Sequence, residues 1–165
     1  MNCAGALARR DIEALIPHQG AMCLLAGVTQ WDAERITCHA DNHRAADHPL
    51  RSRRGLLATC LVEYAAQAMA VHGALQARAT AEAPHGAVGA AGARAGMLAS
   101  ARQLEFGVLN LDDLPRAAPD TLHIDAACEA RDAAQLRYAF TVHHGGARLA
   151  SGRITVVLDA APGPA

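Results

Sequence analysis

The spacing of apolar and polar positions changes period along the chain, and that change predicts its elements. From Leu57 to Leu75, the residues Leu57, Leu61, Tyr64, Ala68, Val71 and Leu75 recur at three- and four-residue steps, which predicts a helix. The flanking Ala65, Ala66, Met69, Ala70 and Ala74 are also apolar or small. A helix apolar nearly all round belongs in a core. Thr59 is placed to cap its N-terminus, which sets Glu63 in the first turn. The Ala- and Gly-rich stretch that follows, broken by Pro84, reads as a flexible loop over about 77–95.

Ahead of this helix, Arg9 to Leu15 reads as a short helix, stopped at Ile16-Pro17 because proline disfavours helix in the residue before it. Ala21 to Trp31 reads as a strand, Asp32 to Glu34 as a turn and Arg35 to Ala40 as a second, alternating strand, together a hairpin. The stretch from Asp41 to Arg54 is polar and irregular, a loop containing Pro49. After the helix the period falls to two. Met97 to Val108, Thr121 to Ala130, Leu136 to Val142 and Arg148 to Leu158 read as strands, the last two joined at Gly145-Gly146. Successive alternating runs with short turns make an antiparallel meander with one buried face. The economical packing is an α+β fold, a curved antiparallel sheet wrapped around one long central helix. It forms a single domain over 1–165 with a core of about 10–158, and the Pro/Gly/Ala tail 159–165 frays.

At 165 residues the chain is long enough to bury a sizeable core as one domain. Hydrophobic residues make up 52% and the net charge is −1, so nothing is basic enough to make nucleic acid the main partner. Aromatics at 3% argue against a base-stacking platform. All 15 basic residues are Arg, a compositional bias. The five cysteines, Cys3, Cys23, Cys38, Cys60 and Cys128, are odd in number and form no CxxC pair, which reads as reduced thiols in a cytoplasmic protein. No apolar leader opens the chain and no run approaches the ~18 apolar residues of a membrane span, so no membrane is expected.

Chemistry concentrates at Glu63, a carboxylate inside an apolar helix with Gln67 one turn on. A buried carboxylate has either a partner or a function. His39, His43 and His48, with Asp41 and Asp47, hint at a metal, but they match no ligand spacing and no metal is expected. Activity should therefore survive exhaustive chelation. His18 reads as fixing the first turn, and His72 as a satisfied core or interface histidine.

Ile16-Pro17-His18-Gln19-Gly20-Ala21-Met22-Cys23-Leu24-Leu25 resembles the opening of the 3-hydroxyacyl-acyl-carrier-protein dehydratases of fatty-acid synthesis. Leu61 to Ala70 resembles their central-helix motif, an acidic residue followed four positions later by Gln. Met97-Leu98-Ala99-Ser100, Leu111-Asp112-Asp113-Leu114 and Ala150 to Leu158 look closer to the branch found in aryl-polyene pigment clusters. The resemblance covers roughly 10–158 and implies a hotdog fold. It also implies a reaction in which a His base removes the α-proton of a 3-hydroxyacyl thioester and a helix carboxylate of the other subunit protonates the departing hydroxyl. The matching positions here are His48 and Glu63, supported by Gln67, with backbone donors for the thioester oxygen near Ala58 and Thr59. The chemistry is sound on its own terms. A neutral His suits an α-proton near pH 7, a carboxylic acid can protonate a poor leaving group, and a helix N-terminus favours an enolate oxygen. Burial pushes such an acid's pKa up, and the helix terminus pushes it down.

The chain departs from the family pattern, which has His-Phe-Pro-Gly and then Pro-Gly at the start of the helix. Here the residues are His48-Pro49-Leu50-Arg51 and Leu57-Ala58. Arg51, Arg53 and Arg54 are either a solvated loop or a docking patch for an acidic carrier protein or its phosphopantetheine phosphate. The expected activity is dehydration of acyl-carrier-protein thioesters, with no cofactor beyond the substrate's own phosphopantetheine, in a homodimer or a heterodimer with a related dehydratase. A hotdog acyl thioesterase, or a non-catalytic acyl-binding subunit of a heteromeric dehydratase, are the competing readings.

Overall fold

The computed structural model describes residues 5–81, 96–132 and 134–158. These form strands β1 (Leu7–Ala8), β2 (Gly27–Trp31), β3 (Arg35–Ala40), β4 (Gly96–Phe106), β5 (Leu122–Arg131), β6 (Gln135–His144) and β7 (Ala147–Leu158), with helices α1 (Arg9–Glu13) and α2 (Leu61–Ala81). The strands make one antiparallel sheet in the order β1-β2-β3-β5-β6-β7-β4. The alternation read from the sequence sets its faces. Ile36, Cys38 and Ala40 of β3, Leu122, Ile124 and Ala126 of β5, and Leu136, Tyr138, Phe140 and Val142 of β6 point inward and are buried. Against them lies α2, which packs on β3, β5 and β6. Its alanines Ala65, Ala68 and Ala74 are buried with Leu61, Met69 and Val71, so small side chains let the helix sit close to the sheet. This is the architecture expected, with the long apolar helix as its centre.

Several boundaries differ from the sequence reading. β1 is too short to leave a periodic signal, yet it pairs with Gly27 and Val28. A Cβ on Gly27 would stand 2.7 Å from the Leu7 carbonyl oxygen and 2.6 Å from the His39 ring, so this close approach requires glycine. The strand expected from Ala21 begins only at Gly27. Gly20–Met22 is a 3₁₀ turn, and Cys23 to Leu25 are apolar because they run through the core, not because they pair in the sheet. Thr59 does not cap the long helix. Leu57 takes the cap position without a side-chain bond, and Ala58–Cys60 form a 3₁₀ turn leading into α2. The helix start is anchored instead by an isolated bridge, in which Ala58 N–H donates to Leu109 O at 2.9 Å and Leu111 N–H to Leu56 O at 2.8 Å. α2 also continues through Ala81, so 77–81 is helical, and the remainder of the expected loop and the tail 159–165 lie outside the described residues.

The turn from β2 to β3 is built by Asp32, whose Oδ1 accepts the N–H groups of Glu34 and Arg35. Gly145 and Gly146 join β6 to β7 with φ of 54° and 83°, as a tight hairpin requires. Cys23, Cys38, Cys60 and Cys128 are free thiols, and burial pushes Cys38 up to about 12, which keeps it inert. Cys3 lies outside the described residues. Among the described residues, no helix is long and apolar enough to cross a membrane.

Candidate active site

Gln67 is the hub from which the site is built. Fully buried on α2, it accepts the Leu24 N–H at 2.8 Å through Oε1 and donates through Nε2 to Met22 O at 2.9 Å and to Glu63 Oε1 at 3.0 Å. One backbone donor and one backbone acceptor together fix which way the amide points. Gln67 therefore seats residues 22–24 on the helix and steers Glu63, one turn earlier, toward the surface. The Glu63 side chain is 36% exposed, and the His18 Nε2 stands 3.4 Å from its Oε1. His18 Nδ1 is buried and, among the described residues, has no hydrogen-bond partner. Sequence reading placed His18 at the first turn only. The structure makes it the histidine beside Glu63, a proximity of residues 18 and 63 that no local spacing encodes.

His48 sits elsewhere. It is 4% exposed, and its Nδ1 accepts the Leu50 N–H at 3.1 Å. Nε2 then carries the proton and donates to the Tyr64 hydroxyl at 2.9 Å, which donates in turn to Asn42 Oδ1 at 2.7 Å. Burial holds His48 below its ordinary pKa, assisted by the Arg51 and His43 charges and opposed by Asp47, so the ring is neutral near pH 7. Burial raises Tyr64 well above the usual phenol range and keeps its proton in place as a donor. Neighbouring helix residues project about 100° apart, so Tyr64 and Glu63 carry their partners on different faces of α2. Among the described residues, no hydrogen bond or ion pair joins His48 to Glu63.

The helix start offers less than expected. The Ala58 N–H is spent on Leu109, which corrects its assignment as a free donor. Thr59 is exposed and, among the described residues, its N–H has no backbone partner outside the helix, so it is the remaining donor of that pair. The three arginines also part company. Arg51 is an internal brace, donating from Nε to Ala45 O, from Nη2 to His43 O and from Nη1 to both Asp112 oxygens at 2.7–2.8 Å. Arg53 and Arg54 are exposed and, among the described residues, form no ion pair. Leu57, next to the helix start, and Leu109 are exposed apolar residues on the same bridge, Leu109 at 85%.

His72 is a satisfied core histidine. Its Nε2 donates to Asp32 O at 2.9 Å and its Nδ1 accepts from the Tyr138 hydroxyl at 2.8 Å. The histidines weighed as one metal set are separated: His39 lies on β3, His48 bonds Tyr64, and His43 packs against His144 and Asp120. A cavity of about 490 Å³ opens on the opposite side of the sheet, lined by Trp31, Thr37, Asp125, Ala127 and Thr141, and touches neither Glu63 nor His48.

Solved structures share this arrangement. A chain of the dehydratase heterocomplex ApeI:P from Xenorhabdus doucetiae matches with a TM-score of 0.72 at 19% identity, over 90% of this chain and 91% of that one. A hypothetical thioesterase with coenzyme A from Streptococcus pneumoniae matches at 0.57 and 9% identity, over 93% and 98%. A sigma28-regulated virulence protein from Campylobacter jejuni matches at 0.55 and 12% identity, over 93% and 90%. At such identities the likeness speaks for the fold, and it is the hotdog fold. No curated protein sequence matches the chain. The profile of the ApeP-like family, described as ApeP dehydratase, matches residues 10–162, so the sheet wrapped on α2, with Glu63 and Gln67 at its head, is that of a member of the ApeP-like dehydratase family.

Proposed function

We propose that the chain is a dehydratase subunit that removes water from 3-hydroxyacyl thioesters carried on an acyl carrier protein, giving trans-2-enoyl thioesters. The observation that carries the reading is Glu63, a carboxylate steered by a buried Gln67 to the open head of the central helix. In this reading, Glu63 passes a proton to the 3-hydroxyl, which leaves as water. His48 takes the α-proton, the C–H electrons form the new double bond, and the Thr59 N–H holds the thioester oxygen while it carries negative charge. A neutral His48 suits the base. His48, tied to Tyr64, and Glu63 lie on different faces of the helix start with no contact between them, which supports a working pair drawn from two chains, His48 from one and Glu63 from the other. Arg53 and Arg54, exposed near the helix start, are the docking cations for the acidic carrier or its phosphate. Arg51, braced internally, has no such part.

One observation favours a second reading. Both ring nitrogens of His48 are engaged, and the Leu50 N–H occupies the lone pair of Nδ1. For Nε2 to accept a proton, the Leu50 bond must break and the tautomer change. A chain with that base held closed would serve as the non-catalytic, acyl-binding half of a heteromeric dehydratase, and a likeness to a chain of a heterocomplex supports it. The test is to incubate the purified protein, alone and with a related dehydratase, with 3-hydroxyacyl and plain acyl thioesters. Enoyl formation by the protein alone is expected. Activity only in the mixture favours the second reading, and release of free thiol from plain acyl thioesters would replace both with a thioesterase.

A further inference from the structure

We propose that His43, Asp120 and His144 bind one divalent transition ion of the zinc class, which clips the His48 loop to the sheet. His43 lies in the loop after β3, Asp120 just before β5, and His144 closes β6. One ligand atom from each comes within 4.8 Å of the others. His144 Nε2 is 2.7 Å and His43 Nε2 3.5 Å from the same Asp120 Oδ1. Ligands about 2.0–2.1 Å from a tetrahedral zinc stand roughly 3.4 Å apart. The His43 pair already has that separation, and the His144 pair reaches it by opening slightly as its shared proton leaves.

A second observation is independent of the cluster's shape. His43 is 1% exposed, yet among the described residues its Nδ1 has no hydrogen-bond partner and its Nε2 makes no well-formed hydrogen bond, standing 3.5 Å from Asp120 Oδ1. A neutral imidazole has one N–H and one lone pair, and a polar group so deeply buried is ordinarily satisfied. An ion at the cluster gives the Nε2 lone pair a partner, with the ring proton on Nδ1. Burial keeps His43 below its ordinary pKa, so that lone pair is available at neutral pH. Two imidazoles and a carboxylate suit zinc and its neighbours, with water completing the shell from the side where Asp120 is 23% exposed.

Arg44 bonds both Asp120 oxygens, from Nε and Nη2, and holds the carboxylate's orientation as an outer partner does in metal sites. Its charge, and that of exposed Arg116 at 3.9 Å, opposes the ion and leaves the imidazoles as the principal donors. The consequence reaches the site described above through the backbone. His43 O accepts Arg51 Nη2, and Arg51 braces Ala45 and Asp112, so the ion would fasten the loop that carries His48 to β5 and β6. It would touch no reacting atom.

The full chain, stripped with a chelator, is titrated with Zn²⁺ against a chromogenic chelator and with Co²⁺ followed by its visible absorption. We expect one equivalent of Zn²⁺, intense Co²⁺ bands of a four- or five-coordinate site, and a raised Tm on adding Zn²⁺. His43→Gln and Asp120→Asn should each weaken binding by at least the ~10–100-fold that loss of an outer partner costs and abolish the Tm rise. His39, His123 and His143 lie side by side across β3, β5 and β6 and are the rival donors. His123→Gln should therefore change nothing. Binding that survives His43→Gln, binding that is lost with His123→Gln, or a wild-type Co²⁺ spectrum like that of the hydrated ion, which needs no variant, each overturns the proposal.

Discussion

His43, His48 and His72 share one electrostatic condition: burial, the largest influence on each, lowers its pKa from the ordinary 6.5. As pH falls, the unfolded chain takes up these protons first. The associated stability is complete above about 6.5 and is lost as pH falls below that value through the lowered folded pKa values. Urea midpoints should therefore hold from pH 8 to 7 and drop between pH 6.5 and 5, and a constant midpoint across that window would contradict the assignment. At the proposed dyad, His48→Ala and Glu63→Gln should fold yet lose dehydration by ~10²–10⁴-fold, as acid–base groups do. Steady-state enoyl formation measures this. Near-normal turnover of His48→Ala would pass the base to another histidine, and His18, 3.4 Å from Glu63, is the one the structure offers.

Single side chains join α2 to the segments around it. Gln67→Leu keeps the volume but leaves the Leu24 N–H and the Met22 carbonyl without their partner, in a region where Leu24 is fully buried. A buried group left unpaired costs about 1–3 kcal/mol, and urea unfolding should report a loss of that order. Gly27→Ala forces a methyl against the Leu7 carbonyl and the His39 ring, so β1 should detach from β2. Hydrogen exchange would show this as lost protection at Val28 and its neighbours, with α2 unaffected.

The sheet as a whole ends at β1, only two residues long, and at β4, eleven residues long with Met97 and Leu98 exposed at 68% and 48%. A long unpaired edge, apolar at its first residues, is where another chain adds on, which makes β4 the expected seam of a dimer. If His48 and Glu63 then work across chains, His48→Ala and Glu63→Gln proteins should be inactive singly but recover on mixing after dissociation. Random re-pairing makes about half the dimers mixed, each with one intact site, so about a quarter of the sites return. Were both residues drawn from one chain, mixing would restore nothing.

Period alone determined much of this. The three- and four-residue steps of Leu57 to Leu75 gave the central helix, and strict alternation in Arg35 to Ala40 and Leu136 to Val142 gave strands with the right inward faces, because both patterns record which side meets the core. The order of short motifs was enough to indicate the family, and the acid-then-Gln step marked Glu63 with Gln67. Tertiary structure decided what lies far apart in sequence. Leu7–Ala8 is a strand because Gly27 admits it, and the helix starts where it does because of the Leu57–Asn110 bridge. His18 meets Glu63, His48 is tied to Tyr64, and His43 finds Asp120 and His144 only because the antiparallel sheet brings the start of β5 and the end of β6 together beside one loop. A side chain's periodicity reports its exposure, whereas its partner is chosen by how the chain closes on itself, and for these histidines that choice sets their chemistry.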